Sequence, residues 1–268
     1  MKHQSKWKYA CAVALGLAMS WAMLAADLAD LAKTQPVVNN AIIPAEKLET
    51  DSYDWYKRHD QKKADAAKDQ YELIFIGDSI THSFEEGSGA KVWKNYYSSR
   101  KPLNLGFGWD RTQNVLWRLQ NGEFANQKPK MVVLEIGTNN LSGTANARQN
   151  TTDEIAEGIK MICGLVLEKT PETHIVIMGV FPRAWANSYY MSEIRVLNKK
   201  LKDIYAGNPK IEVLDIFDSF IGPDGQLKEG TMLNDRTHPS EAGYQLWAEA
   251  LEPVIVRQFK DGGAKTGN

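Results

Sequence analysis

Short apolar runs alternate along the chain with longer segments of helical periodicity. Five runs have too few residues for a helix and are rich in β-branched side chains, so they are predicted to be strands: Leu73–Ile76, Pro102–Leu105 (the weakest), Met131–Ile136, Ile175–Val180 and Ile211–Leu214. Because most of these runs are nearly continuously apolar, the strands should be buried on both faces, as in a parallel sheet.

Apolar side chains recur at helical spacing between and after these runs. The pattern is carried by Val115, Leu116 and Leu119; by Ile155, Ile159, Ile162 and Val166; by Ile194, Leu197, Leu201 and Ile204; and by Leu246, Trp247, Ala250, Leu251, Val254 and Ile255. The alternation of strands and helices predicts an α/β fold, a doubly wound parallel sheet with helices on both sides. In such sheets the site lies beyond the carboxyl ends of the strands.

The two ends of the chain and the segment before the first strand differ from this pattern. Residues 1–26 join a lysine-rich start to an apolar run and read as a signal peptide, which predicts a secreted or periplasmic protein without stable membrane insertion after cleavage. Residues 27–50 are expected to be an extended lead-in, residues 51–260 the folded domain and residues 261–268 a flexible tail. Residues 52–69 predict a solvated helix with His59 at its surface.

Composition narrows the class of protein further. The 268 residues are 43% hydrophobic and 24% charged with a net charge of −1, which is typical of a globular protein and gives no cationic field for nucleic acid. Cleavage after residue 26 would leave Cys163 as the only cysteine, so neither an intramolecular disulfide nor a cysteine zinc site is expected. Cys163 follows the periodicity of its helix and is predicted to be a core residue.

Four unusual polar blocks lie after predicted strands or in the last loop. They are Gly77-Asp78-Ser79, Asn104-Leu105-Gly106, Gly137-Thr138-Asn139-Asn140 and Asp235-Arg236-Thr237-His238. Each block alone has an innocent explanation as a helix cap or a turn. Together they supply the parts that acyl transfer needs.

A serine hydroxyl needs a base to remove its proton, and a neutral imidazole oriented by a carboxylate is suited to that task. Ser79, His238 and Asp235 are the candidates for nucleophile, base and orienting acid. The developing oxyanion needs hydrogen-bond donors, for which the candidates are the Ser79 and Gly106 backbone N–H groups and the Asn139 side-chain amide. This chemistry requires no metal and no cofactor.

These blocks, in this order, resemble those of the SGNH (GDSL-type) hydrolases. The stretch NLGFGWDRTQNVLWRLQNGE from Asn104 to Glu123 is similar to the platelet-activating-factor acetylhydrolase catalytic-subunit subgroup and its bacterial relatives. The resemblance spans roughly residues 50–258. It implies a flavodoxin-like three-layer sandwich with a five-stranded parallel sheet, and it implies the same triad and oxyanion donors.

The sequence departs from the family pattern at three places near these blocks. Asn140 stands where many members carry Asp, Pro239 where Leu often follows the family His, and Trp109 where the mammalian acetylhydrolases have glycine. None of these changes removes a reacting group. A bulky Trp109 at the rim of the site does bring the mammalian lipid substrate into question.

Five further residues are candidate substrate contacts: Asp78, Trp109, Arg111, Arg183 and Trp185. Arg111 and Arg183 could instead pair with Asp110 and nearby acids. The aromatic loop at 181–192 could wall the site for sugar stacking or could pack beneath itself.

The leading hypothesis is a secreted serine esterase that removes short acyl groups, most often acetyl, from a carbohydrate or another polar alcohol. The first alternative is a lysophospholipase, lipid acetylhydrolase or thioesterase with the same triad. A non-catalytic carbohydrate-binding module is a third reading, disfavoured because every reacting residue is present. A small-molecule or polysaccharide ester is the expected partner, and the oligomeric state is left open.

Overall fold

Five parallel strands form one sheet at the centre of the fold in the computed structural model, which describes residues 38–183 and 188–260. The strands are β1 (Leu73–Gly77), β2 (Leu103–Gly106), β3 (Met131–Glu135), β4 (His174–Met178) and β5 (Ile211–Leu214). Their order in the sheet is β2-β1-β3-β4-β5, the flavodoxin-like order. The predicted α/β class and the five-stranded parallel sheet are therefore confirmed.

Seven helices of eight or more residues are described. They are α1 (Trp55–Lys68), α2 (Ser79–Glu86), α3 (Ala90–Tyr97), α4 (Thr112–Gln120), α5 (Thr152–Lys169), α6 (Ser188–Ile204) and α7 (Glu241–Phe259). The alternation of strands and helices predicts one helix between β1 and β2, whereas the structure has two in this connection, α2 and α3.

Two apolar clusters cover the two faces of the sheet. Ile74 and Ile76 of β1 point into a cluster with α4, α5 and α6, whereas Leu73 and Phe75 point into a cluster with α2, α3 and α7. Successive side chains of a strand face opposite sides, so a strand with helices on both sides must be apolar at every position. Cys163 is buried in the first cluster, as predicted, and burial raises the pKa of its thiol to about 12.

The three strands that carry the first polar blocks end side by side. Gly77 of β1 is in register with Gly106 of β2 on one side and with Glu135 of β3 on the other. A Cβ at Gly77 would stand 2.2 Å from the Glu135 carbonyl oxygen, so only glycine fits this close approach. The segments that follow β1, β2 and β3 consequently begin at one edge of the sheet.

One prediction for the segment before β1, the surface position of His59, is wrong. The helix predicted over residues 52–69 exists as α1, capped by Asp54, but His59 is only 4% exposed instead of lying at the surface. Its Nδ1 lies 2.6 Å from the buried Glu123 carboxylate, a partner far away in sequence. The described residues before α1 are irregular apart from a 3-10 turn at Asn40–Ile42.

Several predicted segments lie outside the described residues. They are the signal peptide at 1–26, residues 27–37 of the lead-in at 27–50, the tail at 261–268 and the candidate contact Trp185. Within the part of the chain that the structure describes, no helix combines the length and apolar character that a membrane crossing requires.

Candidate active site

Ser79 occupies the turn from the central strand β1 into α2. Asp78 is the N-cap of α2 and accepts a hydrogen bond from the Ile80 N–H at 2.9 Å, so Ser79 is the first helical residue. Backbone N–H groups in the first turn of a helix have no carbonyl partner within that helix, and the helix dipole is positive there. The Ser79 hydroxyl therefore lies where a developing negative charge would be stabilised.

His238 and Asp235 complete a continuous hydrogen-bonded chain with Ser79. His238 Nε2 lies 2.7 Å from Ser79 Oγ, and His238 Nδ1 lies 2.6 Å from Asp235 Oδ2. The sequence analysis predicted this trio, and the structure brings the three side chains together. The arrangement suits proton transfer from the serine to the imidazole, with the carboxylate fixing the ring tautomer.

The loop that carries His238 holds Asp235 ready for this role. Asp235 Oδ1 accepts the backbone N–H groups of Thr237 at 2.9 Å and of His238 at 3.0 Å. Burial raises the pKa of the Asp235 carboxyl, but these backbone bonds and the His238 side chain outweigh it, so the pKa falls below its ordinary value. Asp235 is therefore ionised when His238 needs a negative partner.

Two further contacts fix this loop against the rest of the site. The Leu233 N–H donates to the His238 carbonyl oxygen at 2.8 Å, closing the loop on itself. The Ser88 hydroxyl donates to the Pro239 carbonyl oxygen at 2.8 Å, which joins the loop to the segment after α2. The base is thus positioned relative to the helix that bears the serine.

Asn139 lies after β3, and its amide is oriented by the segment after β2. Its Nδ2 donates to the Asp110 carbonyl oxygen at 3.0 Å, and its side chain is 7% exposed. An amide nitrogen carries two hydrogens, so one remains for a further acceptor. One amide hydrogen of the predicted donor Asn139 therefore binds the Asp110 carbonyl oxygen, and the second can be donated to an oxyanion.

The predicted Gly106 donor needs a correction. Its backbone N–H already donates to Asn104 Oδ1 at 2.8 Å, because the Asn104 side chain folds back over the end of β2. Asn104 is itself held by a bond from its Nδ2 to the Thr81 carbonyl oxygen at 2.7 Å. Gly106 could serve an oxyanion only by sharing a hydrogen that is already bound.

A buried network of charged side chains holds the ends of β1 and β2 and the segment after β2. This network was not predicted from the sequence. Arg118 donates to Asp110 Oδ2 at 2.7 Å and to Glu123, and Glu123 in turn pairs with His59. The same guanidinium reaches the carbonyl oxygens of Leu105 at 3.2 Å and of Gly77 at 3.4 Å. One buried cation therefore joins the ends of β1 and β2 to the residue that orients Asn139.

Two of the predicted substrate contacts are wrong. The Asp78 side chain has no exposed surface and lies beneath Ser79 as a helix cap. Arg111 is equally buried and donates to the carbonyl oxygens of Ser142 at 2.9 Å and Arg148 at 3.4 Å. Its alternative pairing with Asp110 is also wrong, because Asp110 binds Arg118.

Trp109 and Arg183 have different surroundings. Trp109 is 44% exposed and adopts a left-handed backbone conformation with φ of 64° directly before Asp110. Arg183 is mostly buried, stacks over the Tyr190 ring at 4.1 Å from the centroid and donates to Ser142 Oγ. Of these two residues, Trp109 presents the larger surface to a ligand.

Asn140, which stands where many family members carry Asp, forms hydrogen bonds that join neighbouring segments. Its Oδ1 accepts the Thr112 N–H at 3.0 Å, and its Nδ2 donates to Gln113 and Asn150 at 3.0 Å each.

Among the described residues, no three His, Cys, Asp or Glu side chains gather in a way that could hold a metal ion.

The chain is similar in sequence to known proteins. A model of the GDSL-like lipase/acylhydrolase family matches residues 75–246. The platelet-activating factor acetylhydrolase IB subunit alpha1 of Homo sapiens is 34% identical over 203 residues, which cover 76% of this chain and 83% of that protein.

Solved structures show the same fold at lower identity. A putative acylhydrolase from Bacteroides fragilis is similar with a TM-score of 0.61 and 21% identity, covering 77% of this chain and 99% of that one. A variant of an acetyl-xylooligosaccharide esterase from Geobacillus is similar with a TM-score of 0.54 and 20% identity, covering 75% and 97%.

Proposed function

Because the chain belongs to the GDSL-like lipase/acylhydrolase family, an SGNH hydrolase family, we propose that it is a serine esterase that removes short acyl groups from polar alcohols. The observation that carries this proposal is the chain of hydrogen bonds from Ser79 Oγ through the His238 ring to Asp235 Oδ2. Acyl transfer uses these three groups in this order, as nucleophile, base and orienting acid.

In the proposed reaction, Ser79 Oγ attacks the ester carbonyl carbon while His238 Nε2 takes the hydroxyl proton. The imidazolium then gives that proton to the leaving alcohol oxygen as the ester C–O bond breaks, which leaves an acyl-serine. Water, deprotonated by His238, attacks the acyl carbon; the imidazolium then returns the proton to Ser79 Oγ as the acyl C–O bond to the serine breaks, which releases the carboxylic acid and free Ser79. Asp235 stabilises the imidazolium in both halves of the reaction.

The oxyanion of each tetrahedral intermediate takes its hydrogen bonds from two places. The Ser79 N–H is available at the first turn of α2, and Asn139 has the amide hydrogen that Asp110 does not use. Gly106 contributes by sharing the hydrogen that it gives to Asn104.

We expect Asn139→Ala to lower kcat by about a hundredfold with a smaller change in KM, because an oxyanion donor acts mainly in the transition state. Steady-state kinetics together with thermal unfolding test this. The matched control is Asn140→Ala, which removes bonds to Thr112 and Asn150 and should lower stability more than turnover. A normal kcat in folded Asn139→Ala protein would assign Asn139 a structural role only.

Acetyl is the acyl group best supported. The human relative is named for acetyl hydrolysis, and a chain of similar fold is an acetyl-xylooligosaccharide esterase. These two names point to different alcohols, a lipid and a sugar. The exposed Trp109 favours the sugar, because an aromatic face stacks on a sugar ring and an indole at the rim leaves less room for a long acyl chain.

A substrate panel separates these alcohols. It crosses acyl length from acetyl to octanoyl with sugar, phospholipid and thioester leaving groups. The proposal requires acetylated sugars to be hydrolysed with the highest kcat/KM and a steep fall with acyl length. Faster hydrolysis of octanoyl or phospholipid esters would establish the lipid alternative, and no hydrolysis of any ester would leave a carbohydrate-binding role.

The backbone of Trp109 gives a second, independent test of its role. A non-glycine residue in the left-handed region costs roughly 1–2 kcal/mol, and glycine would relieve that cost while adding about 0.5–1 kcal/mol of unfolded-state entropy. We therefore expect Trp109→Gly to leave the Tm nearly unchanged but to lower kcat/KM for acetylated sugars about tenfold more than for a small activated acetate. Equal losses on both substrates would show that Trp109 only supports the Asp110 segment.

The proposal includes export of the protein from the cytoplasm. It is supported by the basic start and apolar run of residues 1–26. Sequencing the amino terminus of the chain recovered outside the cytoplasm would identify the cleavage position.

A further inference from the structure

Two carboxyl groups are buried together directly beneath Ser79. Asp78 follows β1 and Glu135 ends β3, and the residue before Asp78 is in register with Glu135 across the two strands. Both side chains have no exposed surface, and the Asp78 carboxyl lies close enough to raise the pKa of Glu135. Glu135 interrupts an otherwise apolar strand, so its burial needs an explanation.

If both acids were ionised, their carboxylate oxygens would have too few hydrogen-bond donors. Asp78 Oδ1 accepts the Ile80 N–H, but Asp78 Oδ2 and both carboxyl oxygens of Glu135 receive no N–H or O–H from the described residues. Two carboxylates offer each other only acceptors, and two adjacent negative charges out of water repel strongly. The contact becomes a hydrogen bond when one of the two acids carries a proton.

The surroundings decide which acid carries that proton. The ionised form of Asp78 is favoured by the Ile80 N–H and by the charges of His238 and Arg183, and it is opposed by Asp110. Within the described residues, Asp78 is the charged group that acts on the Glu135 carboxyl, Glu135 itself raises the pKa of the Tyr244 phenol, and no cation forms an ion pair with Glu135. Glu135 is therefore the acid and Asp78 the carboxylate.

The pKa values point the same way. Burial and the neighbouring Asp78 hold the pKa of Glu135 well above its ordinary value. Burial also raises the pKa of Asp78, to about 7, against the opposing Ile80 hydrogen bond and His238 charge. As the pH rises through about 7, Asp78 is therefore the acid that ionises, and Glu135 keeps its proton.

We propose that Glu135 is a positioning residue that donates its carboxyl proton in a hydrogen bond to Asp78, and that the Asp78 carboxylate held in this way supports the imidazolium form of His238 from beneath Ser79. The inference rests on the proposed esterase reaction for its kinetic consequence. The protonation of Glu135 does not depend on that reaction. Asp78 also caps α2, so the same hydrogen bond stabilises the turn that carries the nucleophile.

The protonation state is tested on the wild-type protein by nuclear magnetic resonance with isotope-labelled glutamate side chains. The Glu135 carboxyl signal is assigned by its loss in Glu135→Gln. We expect this signal to stay at the position of a neutral acid between about pH 5 and pH 8, whereas an ordinary glutamate titrates near 4.3. A Glu135 signal that titrates in the ordinary range would overturn the proposal, whatever the activity of the protein.

The kinetic test compares two variants at Glu135. Glu135→Gln keeps a donor to Asp78, so kcat should stay within about threefold of wild type, whereas Glu135→Leu removes the donor and should lower kcat about tenfold or more with KM unchanged. The kcat ratio of the Leu to the Gln variant should fall as the pH is lowered toward about 7, because losing a donor raises the pKa of Asp78 above that value and protonates its carboxylate first in the Leu variant.

Two comparisons keep these results interpretable. Glu212→Gln alters another strand glutamate, at the half-exposed edge strand β5, and should change neither kcat nor its pH dependence. Equal kcat and equal pH profiles for the folded Leu and Gln variants would show that Glu135 only fills space. Absence of esterase activity in the wild type would count against the proposed function and leave the resonance test standing.

Discussion

Replacing Ser79 with alanine is expected to lower kcat for ester hydrolysis by about a thousandfold or more, because the reaction loses its only covalent acceptor for the acyl group. The change removes one oxygen atom at the first residue of α2. Asp78 keeps its capping bond to the Ile80 N–H, so the helix should still form. Steady-state kinetics on an acetyl ester, with thermal unfolding of the same preparation, measure both effects.

Ser83→Ala is the matched control for this experiment. Ser83 lies one turn further along α2, and its hydroxyl is near Tyr244. The substitution removes the same atom from the same helix and should retain wild-type turnover. A well-folded Ser79→Ala protein with normal turnover would exclude the proposed mechanism. A phosphonate directed at serine should label the Ser83→Ala protein and fail on the Ser79→Ala protein.

His238→Ala is expected to cause a loss of similar size, about a thousandfold or more in kcat, because Ser79 loses the group that removes its proton. Asp235→Asn should cost less. Asp235 is 43% exposed, so water can take over part of its stabilisation of the imidazolium. Turnover measured across pH for both variants tests this order of effects.

His82→Ala is the control for a histidine on the same helix as Ser79. Its Nε2 lies 3.3 Å from Glu86, and burial lowers the pKa of its ring to about 4, so it remains neutral at physiological pH. We expect near wild-type kcat for this variant. A larger loss in His82→Ala than in His238→Ala would transfer the role of base to His82.

Most of the strands were predictable because they are short, nearly continuous apolar runs. Burial between two layers of helices leaves no polar position in β1 or in most of β3, and this is what the sequence displays over Leu73–Ile76 and Met131–Ile136. The serine, the histidine and the acid were predictable for a different reason. Parallel strands deliver their following residues to one edge, so polar blocks after successive strands converge.

The buried polar partners were not predictable from local pattern. α1 is charged around its whole circumference, and nothing in its periodicity shows that His59 faces a carboxylate at Glu123. Arg118 falls within a helix whose apolar positions already account for the spacing. The stretch quoted for the family resemblance contains both Arg118 and Glu123, and a base and an acid five residues apart within it are the signal that could have indicated the network.

Hydrogen-bond direction was the other feature that the sequence could not supply. A glycine after a strand can offer its N–H to a ligand, but at Gly106 the Asn104 side chain takes that hydrogen first. The Glu135 carboxyl within the predicted strand Met131–Ile136 was overlooked for a related reason. One charged residue in an apolar run does not reveal which group it meets on the neighbouring strand.

In the parallel sheet, the candidate active site lies at the carboxyl ends of the strands, away from the edge formed by their amino ends. All five strands carry their following segments to the edge where Ser79 lies, and at about 3.3 Å per residue the four- or five-residue strands place the opposite edge about 15 Å away. The turn at Gly207, between α6 and β5, lies at that opposite edge, and a side chain added there would meet nothing within 4 Å. A linker inserted at Gly207 would therefore tether the enzyme to a solid support with its reactive face directed toward the surrounding solution.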